Sequence, residues 1–161
     1  MGKVISNTSP LLYLYRIEAM EWLPRLFSEI WVPDSVISEL RDGKNRGYDV
    51  PDPGNYLWIT VKNPTHMPSL WLAVDMGPGE VAAMSLALEQ SHSILLLDDA
   101  LARRAAHAAG LNVWGTLRVL LESKKQGLTG EIKPYVKRLE AAGLWLSNEI
   151  TQRILNLAGE K

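Results

Sequence analysis

The stretch SILLL, residues 93–97, limits the fold more than any other part of the chain. From Ile94 to Leu97 the residues are apolar at four successive positions. A strand with one wet face alternates apolar and polar residues instead. A continuous apolar run belongs to a strand covered on both faces, as in a parallel sheet between helical layers. The run then stops on two adjacent carboxylates, Asp98 and Asp99. Such a pair repels unless water or positive charge lies close.

The rest of the chain supports that architecture. KVIS (3–6) reads as a first strand. Ser9 can cap a following helix, PLLYLYRI, with Pro10 in its first turn. A second helical piece covers AMEWLPRLF. EIWVP (29–33) reads as a strand and DSVISELRDG as a helix ended by Gly43. Residues 42–56 are rich in Gly, Pro, Asn and Asp and read as a long loop. LWITV (57–61) is the next strand, and a helix runs from about Glu80 to Gln90 after a break at Gly79. After SILLL come the helix ALARRAAHAAG, the strand LNVW and a helix over 115–127. Two more glycine-closed helices complete the chain. Strands alternating with helices imply βαβ units and an α/β fold with a mostly parallel sheet. One domain over residues 1–161 is expected, with about 128–161 as a helical appendage. Trp31, Trp58 and Trp114 are expected in the core, and Trp71, beside a loop, is a candidate for stacking a base. Apolar helices such as PLLYLYRI suit a homodimer face as well as a core.

Composition excludes several classes. The chain has no cysteine, so disulfides and thiolate metal sites are out, and a cytoplasmic location is the expectation. No signal peptide is legible at the N-terminus, and no apolar run reaches the ~18 residues of a membrane span. The formal net charge of −1 means that any nucleic acid must be held by local basic patches. Neither GxGxxG nor GxxxxGK[ST] occurs, so a nucleotide cofactor is unsupported.

In open parallel sheets functional groups gather beyond the carboxyl ends of the strands. Asn7, Thr8 and Ser9 follow the first strand, and Glu39 lies on the helix after the second. Glu80 opens the apolar helix EVAAMSLAL, and Asp98 and Asp99 follow SILLL. Hard oxygen ligands without histidine or cysteine suit Mg2+ or Mn2+. Each residue also has a plainer reading. Glu80 suits the helix macrodipole. Glu39 sits at the border of an apolar face, and Asn7 is a good turn residue. Asp99 can cap the following helix. One aspartate would be enough for that cap, so the doubled acid is the least explained by these readings. Arg103 and Arg104 lie within two turns of the acid pair, and Arg41 lies just beyond Glu39. All three could contact phosphates.

These motifs, in this order, resemble the PIN-domain (PilT N-terminus) family. They are VISNTSPLLYL, GPGEVAAMSLAL with LLLDD, ALARRAAHAAGLNVWGTL and LLESKKQGLTGEIKPYVKRL. More narrowly, they resemble its VapC-like branch of prokaryotic toxin–antitoxin ribonucleases. The resemblance implies a three-layer α/β/α sandwich and a Mg2+- or Mn2+-dependent ribonuclease held inactive by a small cognate antitoxin. It carries the family's acids onto Asn7, Glu39, Glu80 and Asp98, with Asp99 as neighbour or substitute. Glu39, Glu80 and Asp98 become the candidate catalytic residues. Asn7, Glu39, Glu80, Asp98 and Asp99 become candidate metal ligands. Thr8, Ser9, Arg41, Arg103 and Arg104 become candidate RNA contacts. The family's first acid is an aspartate, and here it is Asn7, whose neutral oxygen ligates a cation more weakly. Asp99 could restore the missing charge. The alternative is a catalytically silent PIN-like module that binds RNA or a protein partner.

Overall fold

The computed structural model of the chain describes residues 2–68 and 75–161; Trp71 lies outside them. Five short strands form one sheet: β1 (Lys3–Ser6), β2 (Glu29–Val32), β3 (Ile59–Val61), β4 (Ile94–Leu96) and β5 (Asn112–Trp114). Their order is β3-β2-β1-β4-β5, and every pairing is parallel. Eight helices are present among the described residues: α1 (Thr8–Arg16), α2 (Trp22–Leu26), α3 (Asp34–Asn45), α4 (Pro78–Glu89), α5 (Ala100–Ala108), α6 (Thr116–Lys125), α7 (Lys133–Ala141) and α8 (Asn148–Leu157). The result is a three-layer α/β/α sandwich.

Strand β4 explains the layering. Leu95 and Leu97 point into a core with Ile5, Val113 and the buried faces of α4 and α5. Leu96 points the other way, into a larger core with Val4, Ile30, Val32 and Trp114. Both faces of β4 are therefore dry, as its unbroken apolar run requires. Helices α1, α2, α3 and α6 cover the larger core. Ile132, Val136 and Leu139 from the α7 region, with Ile154 and Leu155 of α8, join the same core. Residues read from sequence as an appendage thus contribute buried surface to the main layer. Helix α1 likewise turns Pro10, Leu11 and Leu14 inward.

Other local expectations shift for identifiable reasons. Helix α1 is capped by Asn7 rather than Ser9, which moves Pro10 from the first helical position to the third. Helix α3 runs through Gly43 to Asn45 and is stopped by Gly47, whose φ is +86°. The Tyr48 N–H closes that end on the Gly43 carbonyl at 3.0 Å. A glycine inside a helix weakens it, but a left-handed residue terminates it. Strand β3 begins at Ile59, because Leu57 is 99% exposed and has left the sheet. Trp114 is in the core, whereas Trp31 and Trp58 are only half-buried. Trp31 lies at the margin of the smaller core, where the Lys3 ammonium sits 3.8 Å from its ring centre and covers it.

The topology creates a crevice. From β1 the chain steps outward to β2 and β3, then returns to place β4 on the opposite side of β1. The carboxyl ends of β1 and β4 flank this reversal, where parallel α/β sheets open for ligands.

If α7 belongs to the main core, Leu139→Ala should cost about 2–5 kcal/mol of global stability. Urea unfolding should still show one transition. A second, separate transition for the C-terminal helices would count against a shared core.

Candidate functional site

Asn7 leaves β1 at the crevice, and its N–H donates to the Leu96 carbonyl at 3.1 Å. It occupies the N-cap of α1 in extended conformation. Asparagine there normally turns its oxygen onto the N–H groups of the first turn. In this chain it makes no such bond, and Oδ1 is buried without a donor. An unpartnered buried acceptor costs about 1–3 kcal/mol. The atom is thus available to something other than the helix.

Glu39 reaches the crevice from α3, whose Val36, Ile37 and Leu40 face the core. Glu39 itself lies half-buried at the border of that apolar stripe. The Thr8 hydroxyl donates to its Oε2. The Gly79 N–H donates to its Oε1 at 3.0 Å. A Cβ at position 79 would sit 2.7 and 2.9 Å from those two oxygens. Glycine is therefore needed there by close approach, rather than by an unusual backbone angle. The GPGE segment serves a second purpose, because Gly77 caps α4 and its N–H donates to Glu80 Oε1 at 3.0 Å.

Glu80 feels its neighbours. Burial pushes its pKa up, and the Gly77 N–H pulls it partly back. The carboxylates of Asp99 and Glu39 then push it up further. Three acids separated by long stretches of sequence therefore share one electrostatic neighbourhood.

The adjacent aspartates have different partners. Asp99 is exposed and caps α5, its Oδ2 accepting from the Ala102 N–H at 2.9 Å. Asp98 turns toward the head of α6. Its Oδ1 accepts from the Thr116 N–H at 2.8 Å, and its Oδ2 from the Thr116 hydroxyl at 2.7 Å. Burial pushes the Asp98 pKa up, while those two bonds and the Arg103 guanidinium oppose the rise. Gly115 makes room for this arrangement: a Cβ there would lie 3.0 Å from Arg103 Nη1 and 3.2 Å from Asp98 Oδ1.

The remaining candidates scatter. Thr8 has its hydroxyl engaged by Glu39, and Ser9 is half-buried in the first turn of α1. Arg103 is half-buried beside Asp98, and Arg104 is exposed one residue on. Arg41 is turned away, lining a groove with Ile37, Tyr56 and Leu57 beside β3. Sequence reasoning missed Thr116, Gly79 and Gly115. Thr116 could have been found by the strand-end rule, since it follows β5 by two residues. The role of the two glycines depends on contacts between distant segments and leaves no local signal.

Among the described residues, no three side chains of His, Cys, Asp or Glu converge on one ion position. The donor set still fits a hydrated divalent cation. Every candidate atom is a hard oxygen, and Asn7 Oδ1 is unpartnered. None of the ion pairs among the described residues involves Glu39, Glu80, Asp98 or Asp99. Neutral donors orient Glu39, Glu80 and Asp99 without neutralising them, and Asp98 alone also feels the Arg103 guanidinium. Mg2+ commonly takes only one or two carboxylates and keeps several waters.

The family model DUF3368, a PIN domain, matches residues 3–160. Comparisons with curated proteins and with solved structures found no match.

A carboxyl whose pKa is raised by folding stabilises the fold most below its ordinary value, 4.5 for Glu80. That stabilisation is lost as the pH rises through the raised value. Glutamine at position 80 keeps the acceptor for Gly77 and removes the charge. Glu80→Gln should therefore melt higher than the wild type at neutral pH without added metal. Its melting temperature should also fall less between acidic and neutral pH. Thermal unfolding of both proteins across about pH 4 to 8 tests this, and superimposable profiles would refute it.

Proposed function

Because the chain belongs to the PIN-domain family, we propose that it is a divalent-metal-dependent endoribonuclease acting as the toxin of a toxin–antitoxin pair. PIN domains are in general metal-dependent nucleases, and this fold is nuclease-like. The observation that carries the reading is the shared neighbourhood of Glu39, Glu80 and Asp99 at the strand-order reversal. The unpartnered Asn7 Oδ1 lies at the same end of the sheet. RNA as substrate and a small cognate antitoxin are read from the sequence resemblance and a cytoplasmic setting from composition, whereas a homodimer rests on apolar helices such as PLLYLYRI, whose Pro10, Leu11 and Leu14 are buried. No helix among the described residues is long and apolar enough to cross a membrane.

Glu39, Glu80, Asp99 and Asn7 would hold Mg2+ or Mn2+, with Asp98 beside them. Such an ion supplies an activated water and neutralises charge on a phosphodiester. The chain's own groups prepare for it. Thr8 and Gly79 fix both oxygens of Glu39. Gly77 fixes one oxygen of Glu80. Asp98 locks the head of α6 against the end of β4 and faces Arg103. Arg103 and Arg104 offer positive charge to a phosphate approaching from the α5 side. Asn7 lowers the charge of the pocket by one relative to an aspartate, which weakens cation binding. Asp99 supplies a carboxylate close enough to raise the Glu80 pKa and offsets that loss.

The silent-module reading is favoured by Asn7 and by the lack, among the described residues, of three converging acids. Cleavage of single-stranded RNA with Mn2+ separates the two. The wild type should cut, and Glu80→Gln should be slower by about 100-fold. Asn7→Asp should bind Mn2+ more tightly than the wild type, and Asp99→Asn less tightly. If neither the wild type nor Asn7→Asp cuts, the module reading holds instead.

A further inference from the structure

Beside Asp98 the protein carries a cleft of about 530 Å³, whose apolar and aromatic lining the arrangement above does not use. One wall is α5, with Arg103, Arg104 and His107. Trp145 of the α7–α8 connection, Leu117 and Ile150 also line the cleft. Trp145 is 81% exposed. A tryptophan so exposed offers a large apolar face to water. Its position is set by its neighbours: Leu144 and Leu146, on either side, both pack against the larger core. The Leu144 N–H also bonds the Leu139 carbonyl at 3.0 Å. The indole is thus carried outward by an anchored segment.

We propose that this cleft receives one unpaired nucleobase of a single-stranded RNA, stacked on Trp145, with the adjoining phosphate on Arg104 and Arg103. The inference rests on the nuclease reading for its choice of polymer. Three features favour a nucleotide over another occupant. The volume suits one base with its sugar. Aromatic and aliphatic surface faces a cationic rim, which matches a flat base joined to an anionic phosphate. Asp98 also lines the cleft, so it borders the acid-bearing end of the sheet. Duplex RNA cannot enter, because its bases are paired and stacked. The site would therefore select unpaired segments and read the nucleotide beside the cut.

The test uses the full chain and a short fluorescein-labelled single-stranded RNA in metal-free buffer, with binding followed by anisotropy. Trp145→Ala should weaken binding by roughly tenfold, and Trp145→Phe should retain most of it. A matched RNA with abasic positions should bind the wild type as weakly as the normal RNA binds Trp145→Ala. That variant should lose nothing further on the abasic probe. Equal binding of normal RNA by wild type and Trp145→Ala would overturn the proposal and leave the cleft to a segment of a protein partner. So would indifference of the wild type to base removal. Cleavage with Mn2+ is scored separately. Trp145-dependent binding without cleavage keeps the base site and rejects the nuclease, whereas cleavage with no role for Trp145 does the reverse.

Discussion

Negative charge held in place without being cancelled is the constraint on which the rest of this structure turns. Four carboxylates meet the end of one parallel sheet, and each is oriented by backbone N–H or hydroxyl donors. No lysine or arginine pairs directly with any of them among the described residues. Neutral donors fix geometry but leave the charge uncompensated: burial first, and then the carboxylates of Asp99 and Glu39, push the Glu80 pKa up. A protein that only needed stability would neutralise such a cluster or disperse it. The folded chain keeps it, at a cost in stability near neutral pH.

The scaffold that sustains this is a dry sheet. Strand β4 is sealed on both faces, so its end cannot shift without disturbing two cores at once. Asp98 adds a lateral tie from β4 to the head of α6, its two carboxylate oxygens accepting from the Thr116 N–H and hydroxyl. Two glycines complete the site by leaving space. Gly79 lets the Glu39 carboxylate come down on the start of α4, and Gly115 leaves room between Asp98 and Arg103. In both places a methyl group would be the obstruction. The same end of the sheet also borders the aromatic cleft, which Asp98 helps to line.

Much of this was legible residue by residue. The apolar run at 94–97 announced a strand covered twice, and β4 is one. The alternation of strands and helices announced a parallel sheet, and all four pairings are parallel. Asp99 was recognisable as the better helix cap because it sits directly before the apolar helix. Gly43 misled, since a glycine inside a polar stretch looks like a helix end, yet it is Gly47 and not Gly43 that takes the left-handed conformation there. Trp31 misled in another way: it lies on an inner strand but at the margin of a layer, where a lysine covers it.

By itself the sequence determined the elements, their parallel arrangement and the short set of polar residues stationed at strand ends. Those follow from local periodicity and from chain connectivity, which neighbouring residues carry. Only the tertiary structure decided which acids share a field, that Asp98 turns to Thr116 while Asp99 stands near Glu80, and that Asn7 Oδ1 is left without a donor. The reason is physical. Repulsion, desolvation and close approach depend on distances of a few ångströms between segments far apart along the chain. Those distances are set by how two cores pack against one sheet, and no local pattern encodes them.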